Sequence, residues 1–202
     1  MPTIIDGREN ISENVDENGR TPTIDRTTNA ANSIDYAHHE IHAGSHYTCM
    51  YSVANIGGGT TPDDAITLTF VTPNTAKWGH LILLYNGVGG ALCRMREAGT
   101  GGTGATGVKK CFNNNRNSLN VSGIKDLDGT AGQMSYDATL DTGGLLTVDE
   151  YISGASRTGA GAESGGRYEW ILKQNTRYQV SIYSTASVAA SIVLHWYEHT
   201  NK

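Results

Sequence analysis

Glycine-rich turns divide the sequence into short β-type segments, and this division constrains the fold more than any other feature. From residue 34 onward, stretches rich in Val, Ile, Leu, Tyr and Thr alternate with separators such as Gly57-Gly58-Gly59, Asn86-Gly87 and Thr142-Gly143-Gly144. Glycine reaches positive φ without steric cost, so these separators predict turns. No long stretch has a convincing helical period, and we therefore expect an all-β chain.

The predicted strands are short and regularly spaced. They cover residues 34–41, 46–54, 65–71, 78–85, 91–97, 108–113, 133–140, 145–152, 167–173, 177–183 and 188–197. Such spacing is typical of a β-sandwich or a barrel-like jelly roll. In the last segment Ile192, Leu194 and Trp196 alternate with Val193 and Tyr197. Both faces of this strand are apolar, so we expect it to be central or to pack against a neighbouring subunit.

Residues 1–33 differ from the rest in composition. Residues 1–35 hold seven acids and three bases, a net charge of −4 out of −5 for the whole chain, and their apolar residues are scattered in ones and twos. Such a segment cannot bury enough surface to offset its ordering entropy alone. We interpret it as an extended arm that orders on a partner, anchored by Ile4, Ile5 and Ile24, or as a flexible tail. The body then comprises residues 34–202.

Several classes of partner and location are not supported by the sequence. The body is nearly neutral and has no basic patch of the kind that nucleic-acid binding needs. The longest apolar run, 81–85, is far too short to span a bilayer, and the first residues do not resemble a secretory signal. Cys49, Cys93 and Cys111 form no CxxC motif. We expect no nucleic-acid or membrane partner and three reduced thiols.

The histidine-rich segment 38–42 is the strongest candidate for a metal site. On a strand, His38, Glu40 and His42 would share one face, and two imidazoles with a carboxylate could hold iron or zinc. A cupin-like site needs a further histidine from another strand, and nothing in the sequence places His80 there. The alternative is an exposed or inter-subunit strand face whose histidines donate hydrogen bonds. We expect no metal and no cofactor.

Catalytic motifs are not recognisable in the sequence. No serine lies in a GxSxG motif. Cys49 and Cys93 lie in predicted strands and are interpreted as small core residues. The glycine-rich segment 98–107 precedes a β-type stretch rather than a helix, so it predicts a flexible hairpin loop and not a phosphate cradle. We expect no catalytic residue and no enzymatic activity.

Five short elements resemble a family of small structural proteins of tailed phages. They are RYEWILKQNTRY at 167–178, HWYEH at 195–199, TPNTAKW at 72–78, NNNRNS at 113–118 and HHEIH at 38–42. The resemblance extends over residues 34–202 and leaves the arm outside it. Members of this family are commonly considered capsid decoration, or cement, proteins.

The resemblance implies a jelly-roll-like sandwich, assembled as a homotrimer at three-fold positions on the outer surface of the virion after synthesis in the bacterial cytoplasm. The implied partner is the major capsid protein, and the protein would clamp adjacent capsomers. Outward apolar positions such as Val193 and Tyr197 are the expected subunit interface. Deleting residues 1–33 is expected to leave the body folded and to weaken attachment to the shell.

Two other functions remain open at this point. Tryptophan and tyrosine can stack on sugar rings, so a glycan-binding or host-attachment module on the same virion is one alternative. A small cupin-like metal enzyme that uses His38 and His42 is the other. Retention of a glycan would favour the former, and a stoichiometric metal would favour the latter.

Overall fold

A computed structural model describes residues 36–57, 65–87, 91–152, 169–184 and 187–200. The chain divides into two units, Met1–His39 and Glu40–Lys202, and the sheets lie in the second. The elements are α1 (Tyr36–Ala43), β1 (His46–Ile56), β2 (Ile66–Val71), β3 (Lys77–Gly87), β4 (Ala91–Glu97), β5 (Gly107–Lys110), β6 (Phe112–Asn113), β7 (Gln133–Tyr136), β8 (Leu145–Ile152), β9 (Glu169–Ile171), β10 (Arg177–Tyr183) and β11 (Val188–Thr200).

The strands form two antiparallel sheets. One has the order β6-β1-β11-β3-β9, and the other has the order β5-β7-β2-β10-β4-β8. The longest pairing joins β11 to β3, from Ala190 opposite Gly87 to Thr200 opposite Lys77. On its other side β11 pairs with β1, where His46 lies opposite Tyr197. The predicted all-β, antiparallel architecture with a central last strand is confirmed.

One apolar core lies between the inner faces of the two sheets. Ile192, Leu194 and Trp196 of β11 are fully buried there, and Phe70 of β2 stacks on Tyr178 of β10 at 5.6 Å between ring centroids. These residues recur at every second position, as the inner face of a strand requires. The prediction that Cys49 and Cys93 are core residues is also confirmed, because both are completely buried.

The prediction of a strand over residues 34–41 is wrong where the structure describes them. Residues Tyr36–Ala43 form a helix, which ends at Gly44 in the left-handed region with φ of +71°. The Gly44 and Ser45 amides donate to the carbonyls of Ile41 and Glu40, which closes the helix C-terminus. A Cβ at position 44 would overlap the Ser118 hydroxyl, so glycine is required there for space as well.

Three other predicted strands end earlier or are divided. Segment 108–113 contributes β5 to one sheet and β6 to the other. Segment 133–140 stops being a strand at Tyr136, because Asp137 has a φ of +51°. Within the described part of segment 167–173, the strand covers only Glu169–Ile171.

The glycine-rich segment 98–107 is not a hairpin loop, because β4 and β5 do not pair with each other. It lies over the outer face of the second sheet and is held there by Asp141. This buried carboxylate accepts hydrogen bonds from the Gly102 amide at 2.9 Å and from Arg177 Nη2 at 2.7 Å. The loop is therefore fixed by a partly buried ion pair.

Candidate functional site

The outer face of the five-stranded sheet is the candidate functional surface. Cross-strand register arranges its outward residues in three rows, which are Met50-Val193-Leu84, Phe112-Thr48-His195-Ile82-Glu169 and His46-Tyr197-His80-Ile171. We call these twelve residues the outer face. Met50, Phe112 and Ile171 are exposed to 53%, 48% and 52% respectively. Exposed apolar groups that share one sheet face are typical of a contact surface.

One end of the outer face holds a hydrogen-bonded cluster of histidine, tyrosine and glutamate. His80 donates from Nδ1 to the Glu169 carboxylate at 2.6 Å, and the Tyr197 hydroxyl donates to the same carboxylate. The Nε2 atoms of His80 and His199 lie 2.7 Å apart and share a hydrogen bond. The Tyr197 ring stacks on His80 at 4.6 Å between centroids. Since β3, β9 and β11 each contribute side chains, the cluster ties three strands together.

Hydrogen-bond geometry constrains the donors in this cluster. His199 Nδ1 lies 3.0 Å from the Thr200 carbonyl oxygen, which can only accept. That ring nitrogen therefore donates to the carbonyl, and His80 Nδ1 donates to the Glu169 carboxylate, which leaves the two Nε2 atoms to share one hydrogen bond.

A second chain of hydrogen bonds crosses the outer face between β1 and β11. His195 Nδ1 donates to the Thr48 hydroxyl at 2.8 Å, because that hydroxyl donates to Asn114 Oδ1, also at 2.8 Å. Asn114 Nδ2 in turn donates to His46 Nδ1 at 2.8 Å. His46 accepts this bond only as a neutral imidazole.

Burial disfavours the charged form of both histidines in this chain. Burial lowers the pKa of His46 below its ordinary value of 6.5, nearby His195 lowers it further, and Glu40 partly offsets the two effects. Burial also lowers the pKa of His195. The direction of these shifts agrees with the acceptor role of His46 Nδ1.

Glu198 connects β11 to the loop that follows β6. Its side chain accepts hydrogen bonds from the Ser122 hydroxyl, the Gly123 amide and the Trp196 indole, the last at 3.0 Å. Its backbone amide donates to the Ser45 carbonyl at 2.9 Å, just after α1. A carboxylate with this many donors is a structural anchor rather than a free acid or base.

A separate groove of about 500 Å³ opens at another edge of the body. Its polar lining includes Tyr51, Asn55, Thr67 and Asp137, and the Tyr51 hydroxyl donates to Asp137. Asp137 occupies the left-handed region, with a φ of +51°. The groove offers carboxylate, amide and hydroxyl groups beside a tyrosine ring.

The two predicted interface residues both belong to the outer face. Val193 is half-buried on the central strand β11, between Met50 and Leu84. Tyr197 is buried within the single chain, beneath the rings of His46 and His80. Their role in subunit contact stays a prediction. The arm anchors Ile4, Ile5 and Ile24 lie outside the described residues.

The predicted metal face is not assembled as expected, because its residues lie on α1. On a helix, Glu40 points away from the side shared by His38 and His42. Glu40 is buried and accepts a hydrogen bond from the Ser45 hydroxyl. Within the described ranges, no group of three or more His, Cys, Asp or Glu residues has a geometry suited to a metal ion. No helix there is long and apolar enough to cross a membrane.

Comparison with known proteins identifies no relative of this chain. No family model matches the sequence, and no curated protein or solved structure matches it significantly.

Proposed function

We propose that the body is a jelly roll with an insertion between its fourth and fifth strands. Leaving β5, β6 and β7 aside, the sheet orders are β1-β11-β3-β9 and β2-β10-β4-β8. In this order, the first four strands alternate between the two sheets, and so do the last four, while β4 and β8 are neighbours in one sheet. A jelly roll, which folds two Greek keys into a double sheet, has this alternation. The inserted segment would be the small edge formed by β5, β6 and β7.

On this fold we propose that the chain is a structural protein of a tailed-phage virion that decorates and stabilises the capsid. The observation that carries the proposal is the proximity of the five elements that resemble such proteins. Asn115 donates to the His42 carbonyl at 3.2 Å, and Thr72 donates to the Lys173 carbonyl at 2.6 Å. Trp78 lies opposite His199 in the pairing of β3 with β11. The element at 38–42 thus contacts the element at 113–118, and the element at 72–78 contacts those at 167–178 and 195–199, although they are far apart in sequence.

The outer face supports self-association as the second part of this proposal. Its exposed apolar side chains are Met50 of β1, Phe112 of β6 and Ile171 of β9, each about half exposed. Glu169 is the one carboxylate of the twelve residues, it is already bonded to His80, and none of the twelve is lysine or arginine. A face with so few charges can pack against a neighbouring copy around a three-fold axis without like-charge repulsion. We assign it to contacts between copies in a homotrimer, with the arm and the major capsid protein forming the attachment.

Light scattering on matched variants tests this assignment. Met50→Asp places a carboxylate within the proposed interface, and Leu145→Asp makes the same change on β8 of the other sheet, where Leu145 is 59% exposed. We expect the unaltered chain and Leu145→Asp to be trimers and Met50→Asp to be monomeric but folded. A folded Met50→Asp trimer, or a monomeric unaltered chain at micromolar concentration, would overturn the assignment.

The groove favours glycan binding as a second candidate function. Carboxylate, amide and hydroxyl groups beside a tyrosine can bond sugar hydroxyls and cover a sugar ring. A glycan array probed with the unaltered chain and with Asp137→Ala separates this function from decoration. Binding lost in the variant would favour the glycan function. Equal signals from both proteins would exclude the groove as a glycan site.

A further inference from the structure

The thiols of Cys49 and Cys111 lie together at the boundary between the two sheets. Antiparallel pairing sets Tyr47 opposite Asn113 and Thr48 opposite Phe112, where the ladder ends. Cys49 and Cys111 are the next residues of the two segments, and continuation of this register would set them opposite each other. A hydrogen-bond interaction with Cys49 is the largest of the influences that raise the pKa of the Cys111 thiol, so the two side chains lie close together. Both cysteines pack on the core side, whereas Phe112, the residue after Cys111, is exposed on the outer face.

The backbone around this pair is suited to a cross-strand disulfide. Directly opposed residues of an antiparallel pair have Cα atoms about 4.5–5.5 Å apart, within the range of roughly 4.4–6.8 Å that disulfides span. The Cys111 amide donates to the Gly132 carbonyl at 2.9 Å, which fixes the backbone at this position. Little backbone movement is therefore needed to join the two sulfur atoms.

Accessibility gives the two cysteines different chemical roles. Cys111 is half-buried, whereas Cys49 is completely buried. A small disulfide can reach the former and not the latter. Cys93 is buried on β4 of the other sheet, and its pairing partners in β10 and β8 are Ile182 and Glu150.

We propose that Cys49 and Cys111 are an oxidisable dithiol that closes into an internal disulfide when a low-molecular-weight disulfide such as oxidised glutathione is present. The Cys111 thiolate attacks glutathione disulfide, whose S–S bond breaks and releases one glutathione. The Cys49 thiolate then attacks the Cys111 sulfur of this mixed disulfide and releases the second glutathione. Two protein thiols are oxidised, one glutathione disulfide is reduced to two thiols, and the two protons pass to the released glutathione.

The bond would tie β1 to the segment that leads from β5 into β6, and so would link the two sheets covalently. It would also close a long loop of chain, which stabilises a fold by restricting the unfolded state. The hydrogen bond with Cys49 and burial both raise the pKa of the Cys111 thiol. Formation is therefore slow at neutral pH and faster in alkaline buffer, where more thiolate is present.

Peptide mapping of the full chain after equilibration with oxidised glutathione tests the proposal. We expect a linked Cys49–Cys111 peptide, an alkylated Cys93 and a thermal midpoint raised by roughly 5–15 °C, reversed by reductant. Cys93→Ala is the matched control and should form the same bond. Cys111→Ala should form none.

Three results would overturn the inference. They are a fully alkylated Cys49 and Cys111 at equilibrium, a stable glutathione adduct on Cys111 with Cys49 still free, and a bond that includes Cys93. The unaltered chain alone distinguishes these outcomes, so the test does not depend on the folding of either variant. It also does not depend on the proposed function, because no capsid or trimer enters the measurement.

Discussion

At the scale of single residues, the Glu198 carboxylate holds several neighbouring polar groups in place. It is buried and satisfies donors from Ser122, Gly123 and Trp196. Glu198→Ala would leave these donors unpaired, so we expect a loss of about 2–4 kcal/mol in the free energy of unfolding by urea. Asp149→Ala, which removes an exposed pair with Arg94, should cost about 1 kcal/mol or less. Similar losses from the two substitutions would contradict this role of Glu198.

His46 of β1 and the half-buried His195 of β11 make stability depend on pH. Unfolded histidines bind a proton near pH 6.5, whereas burial lowers the pKa of His46 and His195 in the folded chain. The unfolded state therefore holds more protons just below pH 6.5, and the free energy of unfolding falls as the pH decreases through this range. The contribution is fully present above about pH 6.5.

Denaturant unfolding at a series of pH values between 7.5 and 5 measures this dependence. We expect the combined variant His46→Gln, His195→Gln to lose less stability over that range than the unaltered chain. The remaining histidines and the acids titrate in both proteins, so the difference between the two curves isolates this pair. Parallel curves would show that these two rings do not contribute.

Burial in the core could be predicted from the alternation of residues within one strand. Contacts that depend on how distant strands pair could not be predicted. Trp196 and Cys49 were expected in the core because they alternate with polar or outward neighbours, and both are completely buried. The contact of His80 with His199 and Glu169 joins three strands that are distant in sequence. No local pattern in the sequence predicts which strands will pair. The residues of the motifs could be identified in the sequence, but the contacts between them could not.

At the scale of elements, the glycine-rich segment 98–107 between β4 and β5 is tightly packed at Gly102. A Cβ at Gly102 would overlap the Arg177 guanidinium and lie 2.8 Å from the Thr139 carbonyl oxygen. Gly102→Ala should therefore disturb the partly buried Asp141–Arg177 ion pair, and we expect a loss of about 1–3 kcal/mol in the free energy of unfolding. Chemical denaturation combined with limited proteolysis of the loop measures the effect.

Gly104→Ala is the matched control for this loop. Position 104 has a φ of +68° and no heavy atom within 4 Å of an added Cβ. The substitution therefore costs only the strain of placing alanine in the left-handed region, about 1–2 kcal/mol. We expect the loop to stay resistant to protease in Gly104→Ala and to become sensitive in Gly102→Ala. Equal sensitivity of the two variants would mean that the loop is not fixed through Gly102.

The first element shows why local sequence was insufficient here. Alternating polar and apolar residues over 34–41 also fit a strand, and a run of eight residues is too short for the two periods to be separated. Gly44 decides the outcome, since its left-handed conformation closes the helix and turns the chain into β1. The division of segment 108–113 between two sheets likewise depends on Cys111 packing against the core. Tertiary contacts determine both features.

At the scale of the whole molecule, the proposed decoration function needs a folded double sheet that makes many equivalent contacts on a shell. A decoration protein needs no active site, and association of copies multiplies a modest contact by raising the local concentration of the next one. A carboxylate at Met50 should therefore weaken shell binding through loss of the trimer. The acidic arm should make binding weaken with added salt, because its charges would face basic groups on the shell.

Co-sedimentation of the purified chain with empty shells tests the central claim most directly, using shells assembled from the major capsid protein of the same genome. We expect saturable binding of the unaltered chain and of Leu145→Asp, and binding by Met50→Asp that is at least tenfold weaker, as expected when avidity is lost. Failure of the unaltered chain to sediment with these shells at micromolar concentration and low salt would contradict the proposed decoration function.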